Sequence, residues 1–133
     1  MNNNVKIFIL IIGLLVLGTV GTVLLRLNST PPGPGKYDEF ATCLKDKGAV
    51  FYGAFWCVHC QAQKKLFGSS QKLLPYVECS TADGQGQTQI CTDKKITGYP
   101  TWTLADGTQI PNENTAGVTL ETLAAKTSCV LPQ

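Results

Sequence analysis

The sequence predicts a small α/β domain, a sheet covered by helices on both faces, behind one N-terminal transmembrane helix. Three observations predict it. Helix-length and strand-length patterns alternate from Tyr37 to Cys129 in the order helix, strand, helix, strand, helix, strand, strand, helix. A long uncharged apolar run stands near the amino end, and a segment rich in proline and glycine separates it from the rest. The division that follows is an anchor over 5–25, a linker over 26–36 and a folded domain over 37–133.

The anchor reads "VKIFILIIGLLVLGTVGTVLL", with Lys6 as its one charge. Nineteen uncharged residues, Ile7 to Leu25, at a rise of ~1.5 Å span roughly 29 Å, about the hydrocarbon thickness of a bilayer. A cleaved signal peptide would have a shorter apolar core, ~7–15 residues, ending at a small-x-small site. This run is longer and stops at "LLRLN" without such a site or a following lipobox cysteine, which favours an uncleaved anchor. The next stretch, "LNSTPPGPGK", has three prolines and two glycines in ten residues, so it excludes helix and reads as an extended linker. At ~3 Å per residue it reaches up to roughly 30 Å. Asn28-Ser29-Thr30 within it formally matches a glycosylation sequon.

Each element of the domain has a local signature. "YDEFATCLKDK" spaces Phe40, Cys43, Leu44 and Lys47 as a helix does, with Asp38 and Glu39 in the first turn and Gly48 as the stop. "AVFYGAFW", Ala49 to Trp56, is a continuous apolar run and predicts a central strand buried on both faces. A helix from about Cys57 to Phe67 follows, closed by Gly68. Pro75 to Cys79 is a second strand, "TADGQGQ" a loop and "TQICTDKKI" a short helix. Thr101–Leu104 and Thr108–Ile110 flank Ala105-Asp106-Gly107 as a hairpin. The last helix, "TLETLAAKTSC", takes Thr119 as N-cap and buries Leu120, Leu123 and Ala124. Trp102 reads as strand packing, and Lys64 and Lys65 as a solvated helix face.

Charge excludes one class of partner. Three of the eleven basic residues lie at or before Lys36, leaving eight basic and nine acidic residues in the domain. A near-neutral domain with no basic patch does not bind nucleic acid by charge. The six cysteines, Cys43, Cys57, Cys60, Cys79, Cys91 and Cys129, all follow the anchor. An even, high count in a domain of this size points to an oxidising compartment. Lys6 before the anchor and Arg26 and Lys36 after it nearly balance, so the orientation rests on the cysteines. They place the amino terminus in the cytoplasm and the domain outside it, on a single-pass membrane protein.

The chemistry concentrates in "GAFWCVHCQAQKKLFG", Gly53 to Gly68. A CxxC at a strand-to-helix junction sets the first sulfur among the unpaired N–H groups of a helix N-terminus, which stabilises a thiolate. Cys57 is then the exposed nucleophile and Cys60, one turn on, the thiol that resolves a mixed disulfide. His59 is the only histidine, and its position between them favours the thiolate further. Zinc would need four ligands, and Cys79 and Cys91 could complete the set. Their Cys-x11-Cys spacing is unlike the close pair of a zinc knuckle, and a single histidine excludes HExxH sites. A purely structural Cys57–Cys60 bridge would constrain little of the unfolded chain.

"FYGAFWCVHCQ", followed about forty residues later by "GYPTW", resembles a thioredoxin-fold domain. The resemblance implies that Pro100 is the family's cis-proline and that the backbone of Tyr99 pairs with an extended stretch of substrate. Trp56, next to Cys57, would cover the active site. A closer resemblance spans about Phe40 to Cys129. With "LPYVECS", "ITGYPTW" and the Cys79/Cys91 pair, the chain is similar to the thioredoxin-like domain fused to bacterial homologues of vitamin K epoxide reductase. That similarity implies a membrane oxidase that passes electrons to quinone and keeps this domain oxidised, while the domain inserts disulfides into secreted proteins. No cofactor is implied, because the cysteines carry the electrons.

Two departures stand out. The thioredoxin acid six residues before the first cysteine is replaced by Phe51, and the proline common after that cysteine by Val58. Loss of the acid should slow deprotonation of Cys60. The resemblance further implies that Cys79 pairs with Cys91, closing a loop whose entropy contributes roughly 2–3 kcal/mol. Cys43 and Cys129 remain, and a bridge between them would tie the ends of the domain for up to ~4 kcal/mol. A relay role for Cys79 and Cys91, or an intermolecular bridge through Cys43, is the alternative to two staples. The sequence thus predicts a membrane-anchored oxidant acting on protein thiols. A reductase or isomerase, or a non-catalytic binding module of the same fold, is the alternative.

Overall fold

The computed structural model describes residues 2–27 and 33–133, so residues 28–32, with the sequon and the centre of the expected linker, lie outside the described residues. The chain divides into two compact units, with the boundary between Gly33 and Pro34. The first holds α1 (Asn3–Leu27), an uninterrupted helix long and apolar enough to cross a membrane. Its threonines keep their hydroxyls bonded within the helix: Thr19 Oγ1 donates to Val16 O and Thr22 Oγ1 to Thr19 O. That satisfaction suits a span without water.

The second unit follows the order α2 (Asp38–Asp46), β1 (Val50–Gly53), α3 (Val58–Lys65), a 3-10 helix (Gly68–Leu73), β2 (Tyr76–Glu78), α4 (Gln89–Asp93), β3 (Thr101–Thr103), β4 (Gln109–Ile110) and α5 (Leu120–Thr127). The sheet order is β2-β1-β3-β4. β1 runs parallel to β2 and antiparallel to β3, and β3 pairs antiparallel with β4, so the sheet is mixed. Period-2 alternation splits the core between its faces. Phe51, Trp102 and Ile110 pack with Phe40 and Leu44 of α2, Cys60 of α3, Phe67 and Leu123 of α5. Tyr52 packs on the other side with Cys79, Cys91 and Ile96. Phe51 stacks on Trp102 with ring centroids 5.0 Å apart, and Phe67 stacks on Phe40 at 5.9 Å.

Local signals placed most elements within a residue or two. Thr119 caps α5 by accepting the N–H of Thr122, and Leu104 and Thr108 close the hairpin turn. The central strand is the main correction. It ends at Gly53, not Trp56, because Ala54 O turns back to accept the N–H of Cys57 and Phe55 N donates to Glu78 Oε1. The apolar run therefore continues past the strand, and Phe55 and Trp56 are about half exposed at the sheet's end. The 3-10 helix Gly68–Leu73 was not anticipated; α3 ends at Lys65 with Leu66 as its C-cap, and Gly68, expected as the stop, instead opens the 3-10 helix with φ of +56°. Two disulfides staple the unit, Cys43–Cys129 and Cys79–Cys91.

Candidate active site

Cys57 sits at the N-cap of α3, where its sulfur accepts the N–H of Cys60 at 3.4 Å. Its thiol points at Tyr99 O, 3.8 Å away, and 7% of the residue remains exposed. Cys60 is wholly buried under the helix. Both are free thiols. Burial pushes the Cys60 thiol up to about 12; a hydrogen bond from the Ala54 backbone opposes the rise most, the neighbouring Cys57 adds to it, and the charge of Lys64 opposes it less. The pair is therefore chemically split: one sulfur at a helix end within reach of the surface, the other held protonated in the core.

The second wall comes from the segment before β3. The Tyr99–Pro100 peptide is cis. The Tyr99 ring meets Trp56 edge-on at 6.1 Å, and Trp56 Nε1 donates to Ser80 Oγ at 2.8 Å, so the half-exposed indole is fixed at the rim. An open cavity of about 390 Å³ runs beside the pair, lined by His59, Tyr99, Pro100, Asn112, Glu113, Asn114 and Thr115. Of the residues singled out in the sequence, Trp56, Cys57, His59, Cys60, Tyr99 and Pro100 thus meet at one end of the sheet. His59 is exposed and faces the cavity. Cys43, Cys79, Cys91 and Cys129 are consumed in disulfides. Cys79 and Cys91 are therefore not thiolates open to a metal, and no group of three or more metal-ligating side chains occurs among the described residues.

Three features escaped the sequence reading. Gln63 is fully buried and bonds both backbone groups of Val118: Nε2 donates to Val118 O at 2.9 Å, and Val118 N donates to Oε1 at 2.7 Å. It ties α3 to the segment packed on Pro100, where a side chain at Gly117 would strike Gln63 Oε1 and Pro100 Cγ. The signal was its place on the buried stripe Cys60, Gln63, Phe67. Asn112, whose Nδ2 donates to Pro100 O at 2.9 Å, had no local signal. Lys64 needs correction: it is partly buried, its Nζ 3.5 Å from the centre of the Tyr76 ring, while Lys65 is exposed. The i+4 spacing from Cys60 was legible, but the ring it rests on comes from β2.

The sequence pattern of the family described as Thioredoxin matches residues 35–128, nearly the whole second unit. The chain belongs to the thioredoxin family. Its thioredoxin domain also resembles the thiol-disulfide oxidoreductase LTO1 of Arabidopsis thaliana, at 46% identity over 67 residues. That stretch is 47% of this chain and 18% of the relative, so the two share a domain while most of the relative's length has no counterpart here.

Proposed function

We propose that this chain is a membrane-anchored thiol–disulfide oxidoreductase that acts as an oxidant of protein thiols outside the cytoplasm. The observation that carries the reading is the split between Cys57, capping α3 beside Tyr99 O, and Cys60, buried beneath it. In the oxidised form a substrate thiolate attacks Cys57 Sγ. The Cys57–Cys60 bond breaks, its electron pair leaves on Cys60, and that sulfur takes up a proton. A second substrate thiol, deprotonated, then attacks the substrate sulfur of the mixed disulfide and expels Cys57 as its leaving thiolate. The substrate leaves with a new disulfide, and the pair holds two electrons.

The substrate lies as an extended strand along Tyr99-Pro100, with Trp56 and His59 at its edges and the Asn112–Thr115 segment as the far wall. The helix Asn3–Leu27 anchors the domain, with the amino terminus in the cytoplasm; the two disulfides support the oxidising side. A bacterial membrane oxidase of the vitamin K epoxide reductase type recycles the pair to quinone, which the likeness of "YVECS" and "GYPTW" supports. Phe51, buried where an acid would take the proton of Cys60, weighs against a reductant.

The test is equilibration of the protein in glutathione buffers, with thiols trapped by alkylation and each cysteine assigned by peptide mass spectrometry. A Cys57/Cys60 potential between roughly −120 and −200 mV places it with the oxidants and isomerases, and one near about −270 mV or below makes it a reductant. A pair that forms no disulfide at all would leave a binding module of the same fold.

A further inference from the structure

The proposed exchange makes Cys60 an anion twice: as the leaving sulfur when a substrate opens the disulfide, and as the attacking sulfur when it resolves a mixed disulfide on Cys57. A fully buried sulfur needs a compensating charge to pass through that state. The surroundings of Cys60 are mostly apolar, but one side is not. Cys60 Sγ and Tyr76 Cε2 both flank Gly53, each 2.9 Å from where a Cβ on that glycine would stand. Lys64, four residues after Cys60, projects from the same face of α3, and its ammonium rests on the Tyr76 ring 3.5 Å from the centroid. Tyr76 Oη donates to Glu78 Oε2 at 2.7 Å, and Glu78 Oε1 accepts the N–H groups of Ser80 at 2.8 Å and Phe55 at 3.2 Å. The ring is therefore fixed at its hydroxyl, and it in turn seats the cation.

We infer that Lys64, seated on Tyr76, is a positioning residue that compensates the negative charge formed on Cys60 during exchange. Among the described residues, Cys57 at the helix cap and Lys64 on α3 act on that sulfur, Tyr76 of β2 interacts with it, and Glu78 holds the Tyr76 hydroxyl; Lys64 is the cation of this set. Its charge already opposes, after the larger effect of the Ala54 backbone, the rise in the Cys60 pKa that burial causes. The place of a buried acid is taken by Phe51, and the Lys64 cation performs a related task. It stabilises the thiolate and does not need to carry the proton.

The inference rests on the reading of Cys57 and Cys60 as a redox pair, and one experiment separates the two. The reduced full-length protein in detergent micelles is mixed with the disulfide of 5-thio-2-nitrobenzoate. Cys57 attacks first and releases one nitrothiolate. Cys60 then attacks Cys57 Sγ, forms the Cys57–Cys60 disulfide and releases the second. The second phase reports the Cys60 thiolate. A one-unit rise in the Cys60 pKa cuts that thiolate about tenfold, and the stronger nucleophile recovers about threefold, so Lys64→Gln should slow the second phase roughly threefold. Lys64→Arg should restore it and Lys64→Glu should slow it further, with the first phase much less affected. An unchanged second phase in Lys64→Gln overturns the inference. So does an Arg variant as slow as the Gln one, which would mark Lys64 as packing only. Absence of any second phase in the parent protein would instead overturn the redox pair itself.

Discussion

Gln63 offers the sharpest test of how this site is held together. Gln63→Leu keeps nearly the same volume but removes both bonds to Val118, leaving a buried backbone N–H and a buried C=O without partners. Each such group costs about 1–3 kcal/mol, so the gross loss is roughly 2–6 kcal/mol. Burying a leucine in place of an amide returns about 2 kcal/mol. The net expectation is about 0–4 kcal/mol with a centre near 2, a sizeable share of what a domain of this size has in total. The central value corresponds to a fall in Tm of about 8–16 °C. Urea unfolding of the full-length protein in detergent, followed by the fluorescence of the buried Trp102, measures it. Because Gln63 joins α3 to the segment on Pro100, KM for a peptide dithiol should rise as well. A Leu variant more stable than the parent protein would refute the reasoning, since it would mean that the Val118 groups find partners without Gln63.

The remaining expectations concern the cysteines. Removing Cys43–Cys129, which closes 86 residues, should cost roughly 4 kcal/mol, against roughly 2–3 for Cys79–Cys91, which closes 12. Urea midpoints of the paired alanine variants test the order, and a reversal would show that packing around the buried Cys79 and Cys91 outweighs loop entropy. The reduced protein should lose stability with alkali. The Cys60 thiol is raised from 9.0 to about 12, so its contribution is complete below about pH 9 and disappears as the pH climbs through about 12. Thermal melts of reduced protein against the Cys60→Ala variant should diverge in that window, and parallel curves would contradict the burial of that thiol. Cys60→Ser should leave Cys57 joined to substrate as a mixed disulfide, visible by non-reducing electrophoresis; failure to accumulate it would argue that Cys57 is not the attacked sulfur.

What could be read along the chain was what depends on neighbours within one or two turns. The Cys57 cap, the Thr119 cap, the hairpin around Asp106-Gly107 and the apolar length of the anchor are all short-range features. Sequence pattern therefore located the two sulfurs, but not their exposure: Cys57, expected to be exposed, is buried like Cys60, because the Tyr99-Pro100 segment packs over it. The end of β1 was less legible, because Ala54-Phe55-Trp56 is as apolar as a strand. What ends the strand is a turn onto Cys57 and a bond from Glu78, more than twenty residues away.

By itself the sequence determined a helix fit to span a membrane, an α/β unit with a CxxC at a helix start, and six cysteines. Local periodicity and capping chemistry suffice for those. Only the tertiary structure decided what surrounds the sulfurs. The Gln63–Val118 brace spans 55 residues, Asn112 holds Pro100 across 12, and Lys64 finds its seat on a tyrosine from the parallel strand. A buried amide and an exposed one look alike in sequence, and a lysine on a helix carries no mark of the ring beside it. Their surroundings, and so their energies, are set when the sheet closes and water leaves the space between α3 and β2.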